Sequence, residues 1–259
     1  MLSGKNDFEM LVNKFREAGI NHVKISAGYR LSYPEEKLFT FYLDEFETKL
    51  FDLPEGVYTC LIENEDCEEQ ILTPGIDDEI FSRTKVPMTK NEVRVLSISR
   101  LELTKNAVVY DVGSGTGSIA VEAASLSDDM EVYAIEQKEN AVLLITQNKE
   151  KHGLENIHVI NAKAPDGMDT LPVPTHAFIG GSSGNLKEII EALKAKNPHI
   201  RIVINAISME TICEIKEILS AYDVKNEDIV QLQVSRSKQI GHYHLMQAEN
   251  PVWICSFEF

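Results

Sequence analysis

The stretch VVYDVGSGTGSIAVE, residues 108–122, constrains the fold more than any other part of the chain. Its glycines, Gly113, Gly115 and Gly117, follow a short apolar run that is typical of a buried strand. They precede apolar residues at helical spacing in residues 119–126. Because glycine loses much conformational freedom on folding, this clustering indicates a backbone that turns tightly or approaches a ligand closely. A strand, a glycine turn and a helix N-terminus in this order favour a cofactor site.

Two details narrow the kind of site. Ser118 stands where a dinucleotide-binding loop would place glycine or alanine, which counts against a nicotinamide-dependent enzyme. The next predicted strand, EVYAIEQ, carries Glu136 near its end, where a carboxylate can accept both ribose hydroxyls of a bound nucleoside. Taken singly, these features also suit an ordinary turn and a solvated strand end. Together they resemble the S-adenosylmethionine site of class I methyltransferases, whose Asp-x-Gly-x-Gly-x-Gly motif residues 111–117 match.

Charge and hydropathy exclude several classes of protein. The formal net charge of −16 argues against nonspecific nucleic-acid binding and against anionic membranes. No apolar run approaches the ~18 residues of a membrane span, and the polar N-terminal residues predict no secretory signal. The four cysteines lack C-x-x-C spacing and indicate reduced residues of a cytoplasmic protein. We expect no metal site, because no metal-ligand spacing appears.

Alternating strand and helix patterns over residues 107–234 predict a parallel sheet that helices cover on both faces. Strands are expected at 107–112, 130–136, 156–161, 175–180, 200–206 and 228–234. The final segment, NPVWICSFEF, predicts an antiparallel seventh strand. Ahead of this core, Thr89 and Glu92 have the spacing of a capping box, which predicts a helix with Thr89 as its N-cap.

A boundary near residue 70 divides the chain into two predicted domains, 1–70 and 71–259. In the first, DFEMLVNKFREAG predicts a helix that ends at Gly19, and HVKISAG and GVYTCLIE predict strands. The charged, turn-rich stretch NEDCEEQILTPGIDD that follows is typical of a linker. This front piece is small for an independent core.

Segments of the second domain resemble one family, the decarboxylating precorrin C-15 methyltransferases of cobalamin biosynthesis. The resemblance runs in order over residues 74–259, and PMTKNEVR, GGSSG and NAISMET are its most particular stretches. It implies an α/β fold of the class I methyltransferase type, with a Rossmann-like seven-stranded sheet and a small α/β N-terminal piece. The implied reaction transfers a methyl group from S-adenosylmethionine to ring carbon C-15 and removes carbon dioxide from the C-12 acetate.

The resemblance also implies which residues contact the cofactor. They are Thr89, Gly113, Ser114, Gly115, Thr116, Gly117, Glu136 and Ala164. The chain departs from the family pattern at Lys163, where the family often has an aspartate just before the alanine. A lysine ammonium cannot accept a hydrogen bond from the adenine amino group, so we expect a weaker or differently arranged adenine contact.

The implied substrate is a reduced tetrapyrrole that carries many carboxylates and therefore needs cations. The expected substrate-side residues are Gly181, Asn205, Arg236 and Lys238, with Arg83, Lys85, Lys90 and Arg94 as further cations. His242 is the candidate catalytic acid, because histidine can be protonated near neutral pH. Each of these basic residues alone also suits a solvated loop, Gly181 a flexible turn, and Asn205 a buried residue that satisfies a turn.

The front piece resembles the C-terminal half of a precorrin C-5 methyltransferase, of the tetrapyrrole methylase fold, on the stretch AGYRLSYPEEKL and a following strand. Because the N-terminal half of that enzyme is absent here, we expect a fragment of a longer fusion or a separate chain that supplies the half. A homo-oligomer is also expected. Three alternatives stay open: another class I methyltransferase acting on tRNA or a small molecule, a nicotinamide-dependent oxidoreductase, and a noncatalytic cofactor-binding subunit.

Overall fold

The chain divides into two compact units, Met1–Leu72 and Thr73–Phe259. A computed structural model describes residues 5–17, 20, 22–46, 54–64 and 73–259. Most of the predicted linker and Gly19, the predicted end of the first helix, lie outside the described residues. The identity assigned to residues 1–70 stays a prediction.

The first unit places one helix against a small antiparallel sheet. Its elements are α1 (Lys5–Glu17), β1 (Val23–Tyr29), β2 (Lys37–Tyr42) and β3 (Tyr58–Asn64), with the strand order β2-β1-β3. Phe8 and Val12 of α1 belong to one apolar core with Ile25 and Phe41 of the sheet. Strand β2 was not among the predicted strands, although Phe41 and its exposed neighbours alternate as in a half-buried strand.

The second unit is a seven-stranded sheet with helices. Its elements are α2 (Asn91–Leu101), β4 (Val108–Val112), α3 (Ser118–Ala124), β5 (Glu131–Glu136), α4 (Glu139–Lys151), β6 (Ile157–Asn161), β7 (His176–Ile179), α5 (Leu186–Lys196), β8 (Arg201–Ala206), α6 (Met209–Ala221), β9 (Lys225–Leu232), β10 (Ser235–Ile240), β11 (Tyr243–Ala248) and β12 (Val252–Glu258). None of the helices in the described part of the chain is both long and apolar enough to cross a membrane.

The strand order of the large sheet is β6-β5-β4-β7-β8-β12-β9. The five strands from β6 to β8 are parallel, and β12 runs antiparallel to both of its neighbours, as predicted for the final segment. Both ends of β9 lie earlier in the chain than predicted. Its first residues are polar and exposed, because β9 is an edge strand, so no apolar pattern marks where it begins.

Helices cover both faces of this sheet, which confirms the predicted doubly covered arrangement. In β4, Tyr110 and Val112 belong to the core under α5 and α6, whereas Val109 belongs to the core under α2, α3 and α4. Alternate residues of the strand therefore enter opposite cores, so every residue of β4 except Asp111 is apolar or aromatic.

A second β structure, which was not predicted, separates β9 from β12. Strands β10 and β11 form a two-stranded antiparallel hairpin with Gly241 and His242 in its turn. All twelve strand residues are exposed, so the segment lacks the alternation of a half-buried strand. Because β9 ends and β12 begins at the carboxyl edge of the parallel strands, the hairpin starts from that edge.

Candidate cofactor and substrate site

A cavity of about 360 Å³ opens at the carboxyl edge of the large sheet. Its wall includes residues at or just after the ends of five parallel strands: Gly113, Glu136, Ala164, Gly181 and Asn205. This edge is where open α/β sheets bind their ligands, and the volume is typical of a small-molecule site.

The glycine loop, residues 113–117, brings three backbone segments together at this cavity. Gly113 has a φ of +70°, and a Cβ added there would overlap the carbonyl oxygen of Gly181 and lie 2.8 Å from the Gly181 nitrogen. Gly115 has a φ of +61°, and its added Cβ would lie 3.0 Å from the carbonyl oxygen of Pro87. Only glycine combines these positive φ angles with such close approaches, so this loop, here named the glycine cradle, packs directly against the Gly181 and Pro87 backbone at the cavity wall.

The buried side chain of Asp111, in β4, holds this loop in place through hydrogen bonds. One of its carboxylate oxygens accepts hydrogen bonds from the Ser114 hydroxyl at 2.6 Å and from the Ala120 backbone N–H at 3.2 Å. The carboxylate thus ties the strand end to both the loop and helix α3. Its other oxygen has no hydrogen-bond partner among the described residues, and burial raises the pKa of Asp111 to about 7.

Replacing Asp111 with asparagine is expected to change how the free energy of unfolding depends on pH. The ordinary pKa of 3.8 lies below the folded value of about 7, so the native state retains a proton that the unfolded chain releases. This contribution to stability is complete below pH 4 and is lost as the pH rises through about 7, at up to about 1.4 kcal/mol per pH unit. Urea unfolding between pH 5 and pH 8 should show a steeper loss for the wild type than for Asp111→Asn. Parallel pH profiles would contradict the assignment.

Glu136 stands fixed at the end of β5, and only 7% of its surface is exposed. One oxygen accepts the Gly115 backbone N–H at 3.0 Å, and the other accepts the Lys138 backbone N–H at 2.9 Å. A carboxylate offers about four acceptor sites, so these two bonds orient the group and leave capacity for two hydroxyls. With the glycine cradle beside it, this arrangement fits a nucleoside whose ribose faces Glu136.

The other predicted cofactor residues divide into two groups. Thr89, Ser114 and Ala164 line the cavity, whereas Thr116 and Gly117 are absent from its wall. Gly117 instead packs against α4, and the buried Thr116 hydroxyl has no hydrogen-bond partner among the described residues. The exposed Lys163 also lies at the wall, beside Ala164.

The prediction that Thr89 caps α2 is wrong. The helix begins at Asn91, and its N-cap residue is Lys90, without a side-chain capping bond. The carbonyl of Thr89 accepts a hydrogen bond from Arg94 at 2.8 Å, and the Glu92 carboxylate pairs with Arg236. The tertiary pair between Glu92 and Arg236 therefore takes the place of the reciprocal bond that a capping box would form.

Arg94 was expected among the substrate-binding cations, and that expectation is also wrong. Its side chain is fully buried, pairs with Glu122 at 2.8 Å and Asp78 at 3.1 Å, and lies over the Phe81 ring at 4.7 Å. Glu122 additionally accepts backbone N–H bonds from residues 75 and 76. The buried pair therefore fastens the segment before α2, which supplies Pro87 and its neighbours to the cavity wall.

The predicted substrate-side residues lie at different places. Gly181 and Asn205 line the cavity, and the Asn205 amide donates to the Ser97 hydroxyl at 2.9 Å. Arg236 and Lys238 lie on β10, outside the lining residues, and His242 is exposed in the hairpin turn. Of these, Arg236 contacts the cavity wall indirectly, since it pairs with the wall residue Glu249 at 3.1 Å and with Glu92.

The apolar part of the cavity wall was not among the predicted site residues. Ile207, Leu232, Val234 and Val252 lie there, after β8, around the end of β9 and at the start of β12. These residues come from three separate segments of the chain, and only the order of the strands in the sheet shows that the segments meet. The available signal was the position of Ile207 directly after a buried strand.

The second unit is similar in sequence to known proteins. A family model described as a precorrin methyltransferase domain matches residues 79–258. A protein of Pyrobaculum calidifontis named a probable cobalt-precorrin-6B C(15)-methyltransferase (decarboxylating) is 38% identical over 185 residues, which are 70% of this chain and 94% of that protein.

Two solved structures are similar over the same part of the chain. A precorrin-6y C5,15-methyltransferase of Geobacter metallireducens is 33% identical with a TM-score of 0.67, and the match covers 71% of this chain and 96% of that one. A precorrin 8W decarboxylase of Methanobacterium thermoautotrophicum is 34% identical with a TM-score of 0.65, covering 70% and 98%.

Proposed function

This chain belongs to the precorrin methyltransferase family, and from that premise we propose that it methylates a precorrin of the cobalt-precorrin-6B type at C-15 and removes carbon dioxide from its C-12 acetate. The reaction belongs to cobalamin biosynthesis, and the fold is that of class I S-adenosylmethionine-dependent methyltransferases. The observation that carries the proposal is that the family match contains the whole glycine cradle and the cavity beside it.

The residues of the cavity fit S-adenosylmethionine. When bound, it supplies an electrophilic methyl group on a sulfonium. Gly113 and Gly115 present their backbone at the cavity wall, and Glu136 accepts the ribose hydroxyls. Ala164, only 8% exposed, forms an apolar wall for the adenine.

The protein contributes mainly position and exclusion of water. A carbon nucleophile needs little proton transfer during methyl transfer, so holding the ring carbon in line with the methyl group supplies most of the acceleration. For decarboxylation, the electron pair of the broken C–C bond moves into the macrocycle, and a proton later replaces the lost carboxylate. The apolar wall around Val252 and Leu232 favours this step because it desolvates the acetate. We propose as the proton donor His242, which is exposed in the hairpin turn and lies outside the cavity wall.

The hairpin supplies the cations for the remaining carboxylates in this proposal. Arg236 is half-exposed, and its partners Glu92 and Glu249 are exposed enough to exchange with a substrate carboxylate. Lys238 lies two residues further along β10 and is exposed. Gly181 and Asn205 form the wall on the substrate side.

Arg236→Ala is expected to weaken tetrapyrrole binding by about one to two powers of ten, the value of a charge-assisted hydrogen bond. The variant also leaves Glu92 and Glu249 without their partner, and these repel a polycarboxylate. The affinity for S-adenosylmethionine should stay nearly the same. Titrations of both ligands check this, with Lys105→Ala as a control that removes one charge near the amino edge of the sheet. Equal tetrapyrrole affinity in wild type and Arg236→Ala would leave Arg236 a purely structural residue.

A turnover assay tests the function itself. Purified protein with S-adenosylmethionine and cobalt-precorrin-6B should give a product with one added methyl group and one carbon dioxide released. Mass spectrometry and trapping of labelled carbon dioxide measure the two events separately. Cofactor binding without either event would support the alternative of a noncatalytic cofactor-binding subunit. Methylation of tRNA would support the alternative of a class I methyltransferase with another substrate.

We further propose that residues 1–70 are related to the C-terminal half of a tetrapyrrole methylase domain. The resemblance of the stretch around Tyr33 supports this assignment. We also propose that the protein is a homo-oligomer. We propose a cytoplasmic location, which agrees with the unpaired state of Cys60, Cys213 and Cys255.

A further inference from the structure

The cavity extends well beyond the glycine cradle. Its lining residues lie at or next to the ends of all seven strands, from Ala162 after β6 to Leu232 at the end of β9. Since neighbouring strands lie about 4.8 Å apart, seven strands extend over roughly 29 Å. The predicted nucleoside contacts, Glu136 and the glycine loop, belong to β5 and β4. The part formed by β8, β12 and β9, here named the far end, is therefore left for a second molecule.

Large apolar side chains are exposed at the far end. Ile207, which lines the cavity, is 73% exposed, and Met209, two residues later, is 70% exposed. Leu232 and Val252 continue the apolar wall beside them. Single exposed apolar side chains are common on protein surfaces. A group of them beside a cavity indicates a place where a ligand binds.

The backbone on both sides of Ile207 is fixed. Ser208 is the N-cap of α6, and its hydroxyl accepts the Thr211 backbone N–H at 3.2 Å. On the other side, Asn205 is hydrogen-bonded to Ser97 of α2 at 2.9 Å. Both apolar residues therefore flank a capped helix start whose position is set before any ligand arrives, which lowers the cost of ordering on binding.

We propose that Ile207 and Met209 form a shelf that contacts the flat apolar face of the macrocycle and selects a large planar substrate. This inference rests on the proposed function. A tetrapyrrole has an apolar ring face and charged groups at its periphery, so its face suits the uncharged shelf. Its peripheral carboxylates then lie towards β10, where Arg236 is located. The shelf residues act on substrate binding and hold no cofactor atom.

Ile207→Ser and Met209→Ser are the variants that test the shelf. Each is expected to raise the KM for the tetrapyrrole about ten-fold, because a buried apolar contact is lost, and the double variant more. The Kd for S-adenosylmethionine should stay within about two-fold of the wild type. Ile207→Leu should keep the wild-type KM. Leu143→Ser is the matched control, since Leu143 is 63% exposed on α4 and lies outside the cavity wall.

The possible outcomes separate this inference from the function on which it rests. If the wild type turns over the tetrapyrrole and the serine variants keep its KM, the shelf is wrong and the function stands. If the Kd for S-adenosylmethionine rises as much as the KM, the residues are structural and the shelf is again wrong. A wild type without turnover would overturn the function and the shelf together.

Discussion

Gly113→Ala is expected to raise the Kd for S-adenosylmethionine at least a hundred-fold and to abolish methyl transfer. The added Cβ would overlap the Gly181 carbonyl oxygen, so the loops after β4 and β7 would have to separate. A backbone atom cannot rotate away as a side chain can, and the φ of +70° adds strain for alanine. Calorimetry measures the affinity, and circular dichroism checks that the sheet still forms.

Gly153→Ala is the control that separates the strain of a positive φ angle from the steric clash of an added Cβ. Gly153 has a φ of +63°, close to that of Gly113, but an added Cβ there meets nothing within 4 Å. It follows α4, outside the cavity wall. We expect a loss of about 1 kcal/mol in stability and an unchanged cofactor affinity. If both variants bind S-adenosylmethionine equally well, the cradle is not the cofactor site.

Arg94→Ala is expected to lower the free energy of unfolding by about 3–5 kcal/mol, a large fraction of the stability of a typical domain. The substitution leaves the Glu122 carboxylate, 2% exposed, without its cation in the core. It also frees the segment that carries Pro87, so binding of the cofactor should weaken as well. Urea denaturation measures the first effect and calorimetry the second.

A surface pair on the same helix provides the comparison. Arg100 pairs with Asp228 at 3.0 Å, and both side chains are more than one-third exposed. Because water screens such a pair, Arg100→Ala should cost no more than about 1 kcal/mol. The double variant Arg94→Met with Glu122→Gln should recover part of the lost stability, since no charge is then buried alone. Equal losses for Arg94→Ala and Arg100→Ala would contradict the role given to the buried pair.

The parts of the fold that were predictable depend on local signals. The strand before Gly113 is apolar apart from Asp111 because it enters two cores, and the glycines are required by their positive φ angles. Glu136 follows from the order of strands, because the carboxyl ends of parallel neighbours meet at one edge. These features need no knowledge of distant contacts.

The remaining features depend on residues far apart in the sequence. Glu92 has the spacing of a capping residue but pairs with Arg236, 144 positions later. An arginine such as Arg94 is usually a surface residue. Here it is a core residue because Glu122 and Asp78 approach it and neutralise its charge. The exposed hairpin has no buried face that would mark its strands.

The place of β12 in the sheet has a consequence for the order in which the protein forms on the ribosome. Within the described part of the chain, β9 pairs only with β12, which is synthesised some twenty residues later and then inserts between β8 and β9. Strands β4 to β8 and the glycine loop have left the ribosome before that point. A nascent chain can therefore assemble its nucleoside cradle while the wall formed by Leu232 and Val252 does not yet exist. The substrate side of the cavity is the last part of the site to be built.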